Sequence, residues 1–567
     1  MIEEIEELVN AGRYFEAHNL AVEYCRQHPD NLRVKQLCGL SMSKSGARNT
    51  AINFLEPLLE EYEDDAETAG ILGGVYKEQF RMTADSSFAR KSLDTYLSNF
   101  EKTRNSYTGI NAATMYQILG RGKKARKIAE EVIEVSKEKD TFWSFATIGE
   151  ALLLLRKSGE AYEYYLKAAR LGGGQYGKLG SIYAQLLVLK HYINVPENIL
   201  ALFAPPKVAV FAGHMIDYNR ETPRFPESIV DQIKNAIANE LRIHNIKIGY
   251  SSLATGSDIL FVEALLELGG EVKVFVPFDR EDFLEQSVNY AGDHWVKRFE
   301  KIEQSNKIAY ISKRKYDHSD VLFNFLGKVM IGAAIMRASS FHDKAYLLTV
   351  SSESDKVKKQ GGTHDIRSMW PVSHEFININ PDLYLDPLDR QIKESEKPKE
   401  AQYFPTEKNI RYFILGTFEV EDDNTRDQIE EVKEVVANEL IEFPGTNQSG
   451  VDDEGIFALY TKAHYAMDFA LRLLNIAQSK GIGVRIALEA VLIKRGAHPK
   501  TVVKESSNLK SLALSDACYA TMQFSAALSA EQPCRFDYHH VGIITEGKSD
   551  EGQEIYKIDQ RIQTALS

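Results

Sequence analysis

The amino-acid sequence predicts a multidomain protein in which α-helical repeats come first, an α/β domain with a mostly parallel sheet comes second, and an α+β domain comes last. Three observations support this order. The chain has 567 residues, of which 44% are apolar, and this suits several cores because single cores rarely exceed about 250–300 residues. Helical spacing of apolar residues gives way to short apolar runs after Pro206. The pattern changes again near residue 408.

The composition limits the partners and the compartment. The formal net charge is −13 and the basic residues form no long run, so we do not expect nucleic acid or a membrane surface as the main partner. The four cysteines, at positions 25, 38, 518 and 534, are too few and too widely spaced for a disulfide framework. The N-terminus is acidic where a secretory signal would be basic, and no apolar run approaches the ~20 residues of a membrane span. We therefore predict a cytoplasmic protein.

Residues 1–195 are predicted to be stacked helix pairs. Up to about Tyr192, large apolar residues and alanine recur at steps of three and four, between short turns. Helices are predicted to begin near Gly12 and again near Gly46, 34 positions later, and similar starts occur at 120–125 and 157–161. This pattern resembles the tetratricopeptide repeat, and the resemblance implies a protein partner.

A second resemblance lies within the same region. The stretch from Tyr107 to Ala113, Tyr-Thr-Gly-Ile-Asn-Ala-Ala, resembles a signature of the TRAF-binding helical region found in apoptosis signal-regulating kinases and in many bacterial proteins. That resemblance implies a protein-binding or autoinhibitory role. The alternative is a helical scaffold with no partner beyond its own chain.

Residues 205–377 are predicted to form a Rossmann-like α/β domain, because short apolar runs alternate with amphipathic helices. The predicted strands are Lys207–Ala212, Ile246–Tyr250, Val272–Val276, Lys307–Ile311 and Ala345–Val350. The predicted helices are Ser228–His244, Ser257–Leu268, Arg280–Gln304 and Val321–Ser339. Ligands of such sheets bind at the carboxyl ends of the strands, where the strand order reverses.

Three loops of this domain combine small residues with polar ones, and we predict that they bind a ligand. The candidate residues are Gly213, His214 and Asp217 after the first strand, Ser251, Gly256, Ser257 and Asp258 after the second, and Gly361, Gly362, Thr363 and Asp365 after the last. Small residues let the backbone approach a ligand, and a helix N-terminus attracts phosphate. Each loop also has a plainer interpretation: Ser257 and Asp258 cap a helix, the glycine pair makes a turn, and His214 satisfies a buried carbonyl.

Together these loops resemble the SLOG superfamily, which includes DNA-processing protein A and the Lonely Guy cytokinin-activating enzymes. The resemblance implies that Gly213, Ser251, Gly256, Asp258, Gly361, Gly362 and Thr363 line a pocket for a nucleotide or an ADP-ribose-like ligand. Members act as phosphoribohydrolases or as non-catalytic sensors. The chain has Gly361-Gly362-Thr363-His364-Asp365 where the Lonely Guy enzymes have Pro-Gly-Gly-x-Gly-Thr-x-x-Glu, so we expect sensing. Arg224 is a further candidate for a phosphate, or else an exposed loop arginine.

A linker is predicted at 378–407, and an α+β domain at 408–567. An antiparallel hairpin is expected around 450–460. The predicted strands are Arg411–Val420, Ile456–Tyr460, Val484–Ile493 and short segments near Val541 and Ile555, and the predicted helices are Asn424–Ile441, His464–Ser479 and Ala513–Ser529.

Three segments of this last domain, Asp453–Tyr460, Gly483–Glu489 and Ser515–Gln523, resemble class III nucleotide cyclases, which implies a ferredoxin-like fold and a homodimer. Cyclisation uses two divalent cations, Mg²⁺ or Mn²⁺, held by two aspartates. Here the first aspartate has no counterpart in Tyr412–Phe418, and Glu454, a weak metal candidate, stands for the second.

The resemblance also implies that Tyr519 replaces the ribose-binding Asn and Gln523 the phosphate-binding Arg. Losing one such contact typically costs about 10²–10³ in rate, so we predict a pseudo-cyclase, with Mg²⁺ or Mn²⁺ as a cofactor only if the domain is active. A shift of the alignment would instead bring in Glu419, Glu421 or Asp422 as a metal ligand.

The leading hypothesis is a signalling protein that senses a nucleotide-derived small molecule in the central domain and relays it through the helical repeats and the pseudo-cyclase. The second hypothesis is an active nucleotide enzyme, either a cyclase or a nucleoside-monophosphate phosphoribohydrolase. The third is a non-catalytic helical adaptor. Multidomain sensors of this kind resemble components of bacterial defence systems.

Overall fold

The computed structural model forms two compact units, residues Met1–Pro205 with His539–Ser567, and residues Pro206–Tyr538. The structure describes residues 2–10, 14–173, 176–218, 220, 222–312, 315–316, 321–341, 343–352, 362–389, 410–420, 426–452, 455–494, 509, 513–514, 517–545 and 552–561.

Consecutive helices that pack against one another make up most of the described residues between 1 and 205 of the first unit. Their bounds are α1 Ile2–Asn10, α2 Tyr14–Gln27, α3 Leu32–Lys44, α4 Arg48–Glu61, α5 Ala66–Thr83, α6 Ser86–Thr103, α7 Ser106–Ile118, α8 Gly122–Ser136, α9 Phe142–Leu154, α10 Ser158–Leu171, α11 Tyr176–Lys190 and α12 Glu197–Ala201. The predicted helix starts near Gly46, at 120–125 and at 157–161 are confirmed, and Gly12 lies outside the described residues. Gly46 (φ 95°) and Gly120 (φ 73°) adopt left-handed backbone in the turns, where a residue with a Cβ would be strained.

Polar contacts between helices repeat with the period of the sequence. Lys77 Nζ lies 3.2 Å from Asn111 Oδ1, 34 positions later, and 2.8 Å from Gln185 Oε1. The Gln185 amide donates at 2.7 Å to Glu150. Burial lowers the pKa of Lys77 and raises that of Glu150, since desolvation penalises the charged forms. The Lys77–Asn111 and Gln185–Glu150 contacts join residues 34 and 35 positions apart, whereas the Lys77–Gln185 contact joins residues 108 positions apart.

A sheet of six parallel strands, in the order β4-β3-β2-β1-β5-β6, is the core of the second unit. The strands are β1 Lys207–Gly213, β2 Ile246–Ser251, β3 Glu271–Val276, β4 Ile308–Tyr310, β5 Ala345–Val350 and β6 Glu375–Ile379. The five predicted strands are confirmed to within about two residues at their ends. Strand β6 was not predicted. It ends at Ile379, two residues beyond the predicted end of the α/β domain at residue 377.

The connecting helices of this sheet are α13 Val230–Ile243, α14 Ser257–Glu267, α15 Arg280–Ser287, α16 Asp293–Ser305, α17 Val321–Ser340 and α18 Thr363–Met369. The predicted helix Arg280–Gln304 is divided in two at Gly292, which has a φ of 102°. The chain order proceeds from β1 to β4 on one side of β1 and then returns to place β5 on the other side. The strand order therefore reverses between β1 and β5.

A second sheet, largely antiparallel, follows in the same unit. Its strands β7 Ile410–Val420, β8 Thr446–Asp452, β9 Gly455–Tyr460, β10 Val484–Lys494 and β11 Ala517–Thr521 are ordered β11-β10-β7-β9-β8. Its helices are α19 Arg426–Glu442, α20 Ala463–Ser479 and α21 Met522–Glu531. The expected hairpin is present as β8 and β9.

The predicted helix Ala513–Ser529 is wrong. Residues 517–521 form strand β11, which pairs in parallel with β10, and only the following residues are helical. All five residues of β11 are buried, so their apolar pattern does not distinguish a strand from a buried helix. Thr521 ends the strand and caps α21.

Strands β12 Phe536–Thr545 and β13 Gly552–Gln560 are neighbours near the end of the described chain. Strand β13 belongs to the first unit. There Asp559 lies 3.5 Å from Arg48 and 2.7 Å from Lys557. A Cβ at Gly46 would overlap the side chain of Lys557, which is 4% exposed.

Among the described residues, α17 is the one helix long and apolar enough to cross a membrane, and 72% of its apolar window is buried in the protein. It contacts β1, β2 and β5. This degree of burial is typical of a core helix. A core helix and a membrane span can share the same length and apolar composition, so those two features do not distinguish them.

Candidate ligand cleft

A cleft of about 1050 Å³ lies in the central domain and is lined from the loops that follow β1, β2 and β5. Its floor includes Gly213 and His214 after β1, and Ser351 and Ser352 after β5. These two strands flank the point where the strand order reverses, which is where ligands of open parallel sheets bind. The volume is at the upper end of the range for small-molecule sites, about 300–1,000 Å³.

The structure brings six of the predicted residues to this cleft: Gly213, His214, Asp217, Asp258, Gly362 and Thr363. Ser251, Gly256, Ser257 and Asp365 are not among its lining residues. The Asp365 carboxylate accepts a hydrogen bond from Asn324 Nδ2 at 2.8 Å. Gly361 and Glu454 lie outside the described residues.

Gly256 and Ser257 hold two loops together. Gly256 has a φ of 88°, and a Cβ there would lie 2.6 Å from the backbone nitrogen of Ile216. Ser257 donates to the His214 carbonyl through both its backbone N–H, at 3.1 Å, and its hydroxyl, at 2.8 Å. The small residues after β2 therefore permit close contact with the loop after β1.

Asp258 lies on the wall of the cleft and is 8% exposed. Its carboxylate accepts backbone hydrogen bonds from Ala254 and Gly213, which lower its pKa. Burial is the larger effect and raises the pKa of Asp258 to about 7. The residue therefore links two loops and carries only a partial negative charge at neutral pH.

Asp217 folds its own loop. Its carboxylate accepts from the backbone N–H groups of Arg224 and Phe225, at 2.7 Å each. The Asp217 N–H in turn donates to the Phe225 carbonyl at 2.9 Å. This clamp places Arg224 at the cleft, where it is half-buried, so the interpretation of Arg224 as an exposed loop arginine is wrong.

His214 is 5% exposed and joins the loops after β1 and β5. Its Nε2 accepts from the Ser352 N–H at 3.0 Å, and its backbone N–H donates to the Val350 carbonyl at 2.9 Å. The other ring nitrogen, Nδ1, lies 3.2 Å from Arg224 Nη2.

Other lining residues carry no motif that sequence reasoning could detect. Besides Phe211 of β1, five aromatic side chains among the described residues line the cleft: Tyr218, Phe283, Tyr290, Tyr316 and Phe323. Most of them lie outside the loops that follow the strands. The expectation that ligands bind at those loops therefore does not identify these aromatic residues. Their faces suit a planar base. Arg220 and Arg367 add two positive charges to that of Arg224.

Two C-terminal residues that the cyclase resemblance singles out, Tyr519 and Gln523, do not line this cleft. Tyr519 is fully buried within β11, and Gln523 Nε2 donates to the Ile311 carbonyl at 3.4 Å. No group of three or more His, Cys, Asp or Glu that could hold a metal ion is found within the residues described.

Comparison with known proteins identifies one region of the chain. Residues 14–116 match the family model for tetratricopeptide repeats-sensor. A thermophilic tetratricopeptide-repeat protein of Thermus thermophilus is similar, at 18% identity over 33% of this chain and 97% of that chain, with a TM-score of 0.29. A tetratricopeptide repeat protein of Parabacteroides merdae is 14% identical over 35% and 82%, with a TM-score of 0.24.

An adenylate/guanylate cyclase/hydrolase of Silicibacter pomeroyi is 12% identical over 27% of this chain and 98% of that chain, with a TM-score of 0.23. No curated protein matches the chain. The family match, which covers residues 14–116, shows that the N-terminal part of the chain is a tetratricopeptide-like helical region.

Proposed function

We propose that the protein is a regulatory sensor whose central domain, a SLOG-like Rossmann-like domain, binds a nucleotide or nucleotide-derived ligand without converting it. The observation that carries the proposal is the cleft at the reversal point of the parallel sheet. The tetratricopeptide-like repeats support a regulatory or adaptor role, because such repeats commonly bind protein partners.

The charges at the cleft favour an anion. Three arginines, Arg220, Arg224 and Arg367, line it beside two carboxylates. Asp217 is engaged by two backbone N–H groups, and the pKa of Asp258 is raised to about 7 by burial. The described part of the lining therefore carries a net positive charge near neutral pH, which favours a phosphorylated ligand.

Binding without turnover is favoured by the position of Asp365. This is the carboxylate nearest in sequence to Gly362 and Thr363, and it accepts from Asn324 on α17 without lining the cleft. Among the described residues of the cleft, the other acidic ones, Asp217 and Asp258, accept hydrogen bonds from backbone N–H groups. A hydrolase would need a carboxylate within hydrogen-bond reach of its substrate.

The C-terminal domain is proposed to be a cyclase-like domain that supports a homodimer and performs no cyclisation. Its hairpin of β8 and β9 and its parallel pair β10 and β11 are consistent with that fold. Sedimentation of the full-length protein tests the dimer. A monomer at all concentrations would contradict this part of the proposal.

The test of the sensor is thermal stabilisation of the full-length protein by AMP, ADP-ribose and adenosine, followed by chromatography of the incubated nucleotides with Mg²⁺. We expect a raised melting temperature and unchanged nucleotides. Thr363→Trp, which fills the cleft lip, should abolish the stabilisation, whereas Ser368→Trp, exposed on the same short helix, should retain it. Release of base, ribose phosphate or pyrophosphate would show that the protein is an enzyme instead. If no nucleotide stabilises the protein, the sensor proposal fails and the helical-adaptor hypothesis is favoured.

A further inference from the structure

We propose that the ring of Tyr218 stacks on the base of the ligand, and that the cleft thereby selects nucleotides over sugar phosphates. This inference rests on the proposed function and deepens it, because it assigns the planar part of the ligand to one named side chain of the cleft.

Tyr218 differs in its packing from the other aromatic residues of the cleft. Those others belong to the hydrophobic core of the central domain or pack against it: Phe211, Phe283, Tyr290, Tyr316 and Phe323. Among the described lining residues, Tyr218 is the aromatic one that lies outside this core, and it is 60% exposed. Core packing therefore accounts for the other rings and does not account for Tyr218.

The ring of Tyr218 has a face available for stacking. Its centroid lies 5.8 Å from that of Tyr290, and the two ring planes meet at 70°. In an edge-on pair one ring presents its edge to the other, so Tyr290 covers at most one face of Tyr218. The Tyr290 hydroxyl lies 2.8 Å from that of Thr255, which holds this neighbouring ring in place. The other face of the exposed Tyr218 ring can take a planar group in an offset stack.

The backbone that carries Tyr218 is anchored at the two preceding residues. The Ile216 carbonyl accepts a hydrogen bond from the Tyr290 hydroxyl at 3.3 Å. The Asp217 N–H donates to the Phe225 carbonyl at 2.9 Å, and Phe225 is fully buried in the core. The loop is therefore ordered before a ligand binds, so less entropy is lost on binding.

A cation lies in the same loop as this ring. Arg220, two residues after Tyr218, lines the cleft, and its Nε lies 3.5 Å from Asp217 Oδ1. A nucleotide joins a planar base to a phosphate through one sugar, so a ring and a cation in one loop match both of its ends. A sugar phosphate would use the cation and leave the ring without a partner. The pairing therefore favours a ligand that carries a base.

Three substitutions separate the ring from its bulk. Tyr218→Ala removes the side chain, Tyr218→Phe keeps the aromatic ring, and Tyr218→Leu keeps apolar bulk without a ring. Trp143→Ala is the control, because Trp143 on α9 is 52% exposed and also has an edge-on aromatic neighbour, Phe142, at 4.8 Å. Since Tyr218 is exposed and outside the core, we expect the melting temperature without ligand to stay close to that of the wild type.

The experiment measures calorimetric affinities of the full-length variants for AMP, which carries a base, and for ribose 5-phosphate, which does not. We expect the wild type to prefer AMP. Tyr218→Ala should weaken AMP binding about ten- to hundredfold at unchanged affinity for ribose 5-phosphate. Tyr218→Phe and the control should retain AMP binding, and Tyr218→Leu should lose much of it. A loop that merely collapses would instead weaken both ligands alike.

Wild-type AMP affinity in Tyr218→Ala, or an equal loss for the two ligands, would overturn the inference. Equal AMP affinity of Tyr218→Phe and Tyr218→Leu would also overturn it, and this comparison decides the case even if Tyr218→Ala folds poorly. Equal affinity of the wild type for AMP and ribose 5-phosphate would contradict the selection of a base. If neither probe binds, the inference fails, whereas the proposed function fails only when no nucleotide, ADP-ribose included, stabilises the protein.

Discussion

Asp258 shows how one buried carboxylate couples the stability of the central domain to pH. It is buried on the cleft wall, and burial raises its pKa to about 7 from the ordinary 3.8. The folded state therefore holds this proton more tightly than the unfolded state. The contribution of Asp258 to stability is fully present below about pH 4 and is lost as the pH rises through about 7.

Asp258→Asn should remove this pH dependence. Between pH 4 and 8 the free energy of unfolding of the wild-type protein should fall relative to that of the variant by an amount on the order of a few kcal/mol. Urea unfolding of both proteins at several pH values measures the difference. A difference that stays constant across this range would show that the Asp258 carboxyl is not perturbed.

At this scale the sequence identifies residue types better than their roles. Gly213, Gly256 and Ser257 are small because two loops approach each other, and a close approach to a ligand would require the same residue types. His214 and Asp258 are predicted and do line the cleft. The partners of Asp217, seven and eight residues away in the chain, are set by loop closure, which no motif encodes.

At the scale of elements, α17 takes part in two contacts of the second unit. Phe323, Leu326 and Met330 line the cleft, and Gly332 packs against α21, where a Cβ would overlap the Ala526 carbonyl. Lys328 on α17 also lies 3.8 Å from Glu531 of α21. The helix thus connects the ligand cleft to the C-terminal sheet domain.

Gly332→Ala should destabilise this contact, because the overlapping atom is backbone and α21 would have to move. Gly327→Ala is the matched control, since its Cβ would lie 3.2 Å from the flexible side chains of Ile366 and Met369. Both changes add helix propensity of about 1 kcal/mol, so the difference between them isolates the overlap. We expect a lower melting temperature for Gly332→Ala than for Gly327→Ala, and equal values would contradict the close packing.

Helices and strands with a clear apolar pattern can be predicted from the sequence. Strands that form because they pair with a neighbouring strand cannot. The strands β1 to β5 follow from apolar runs between helices. Strand β6, whose residues are largely exposed or half-buried, lacks such a run and exists because it pairs with β5. Strand β11 resembles a helix in composition and is extended because it pairs with β10.

At the scale of the whole molecule, the last described strand belongs to the same compact unit as the helical repeats. Asp559 of β13 lies beside Arg48 of α4 and Lys557, with side chains that are 19%, 10% and 5% exposed. These cations hold the pKa of Asp559 well below its ordinary value although burial opposes the shift. The sequence gives no indication of this contact, because the partners are about 500 positions apart.

Asp559→Ala should destabilise the first unit by about 3–5 kcal/mol, because it removes the carboxylate that faces two buried cations. Thermal unfolding followed by circular dichroism measures the loss. Glu63→Ala is the control, since Glu63 pairs with Lys102 on the surface and its side chain is 70% exposed. Its removal should change stability far less than the loss of Asp559, because exposed ion pairs contribute little. Equal effects of the two variants would show that the Asp559 contact does not stabilise the unit.

The proposed sensor holds a phosphorylated, nucleotide-derived molecule in the cleft between β1 and β5. Mass spectrometry of small molecules released from the purified full-length protein tests it most directly, with Arg224→Gln purified in parallel. We expect a phosphate-containing nucleotide derivative from the wild-type protein and a smaller amount of it from the variant. A released molecule without phosphate, or the same amount of the nucleotide derivative from both proteins, would contradict it.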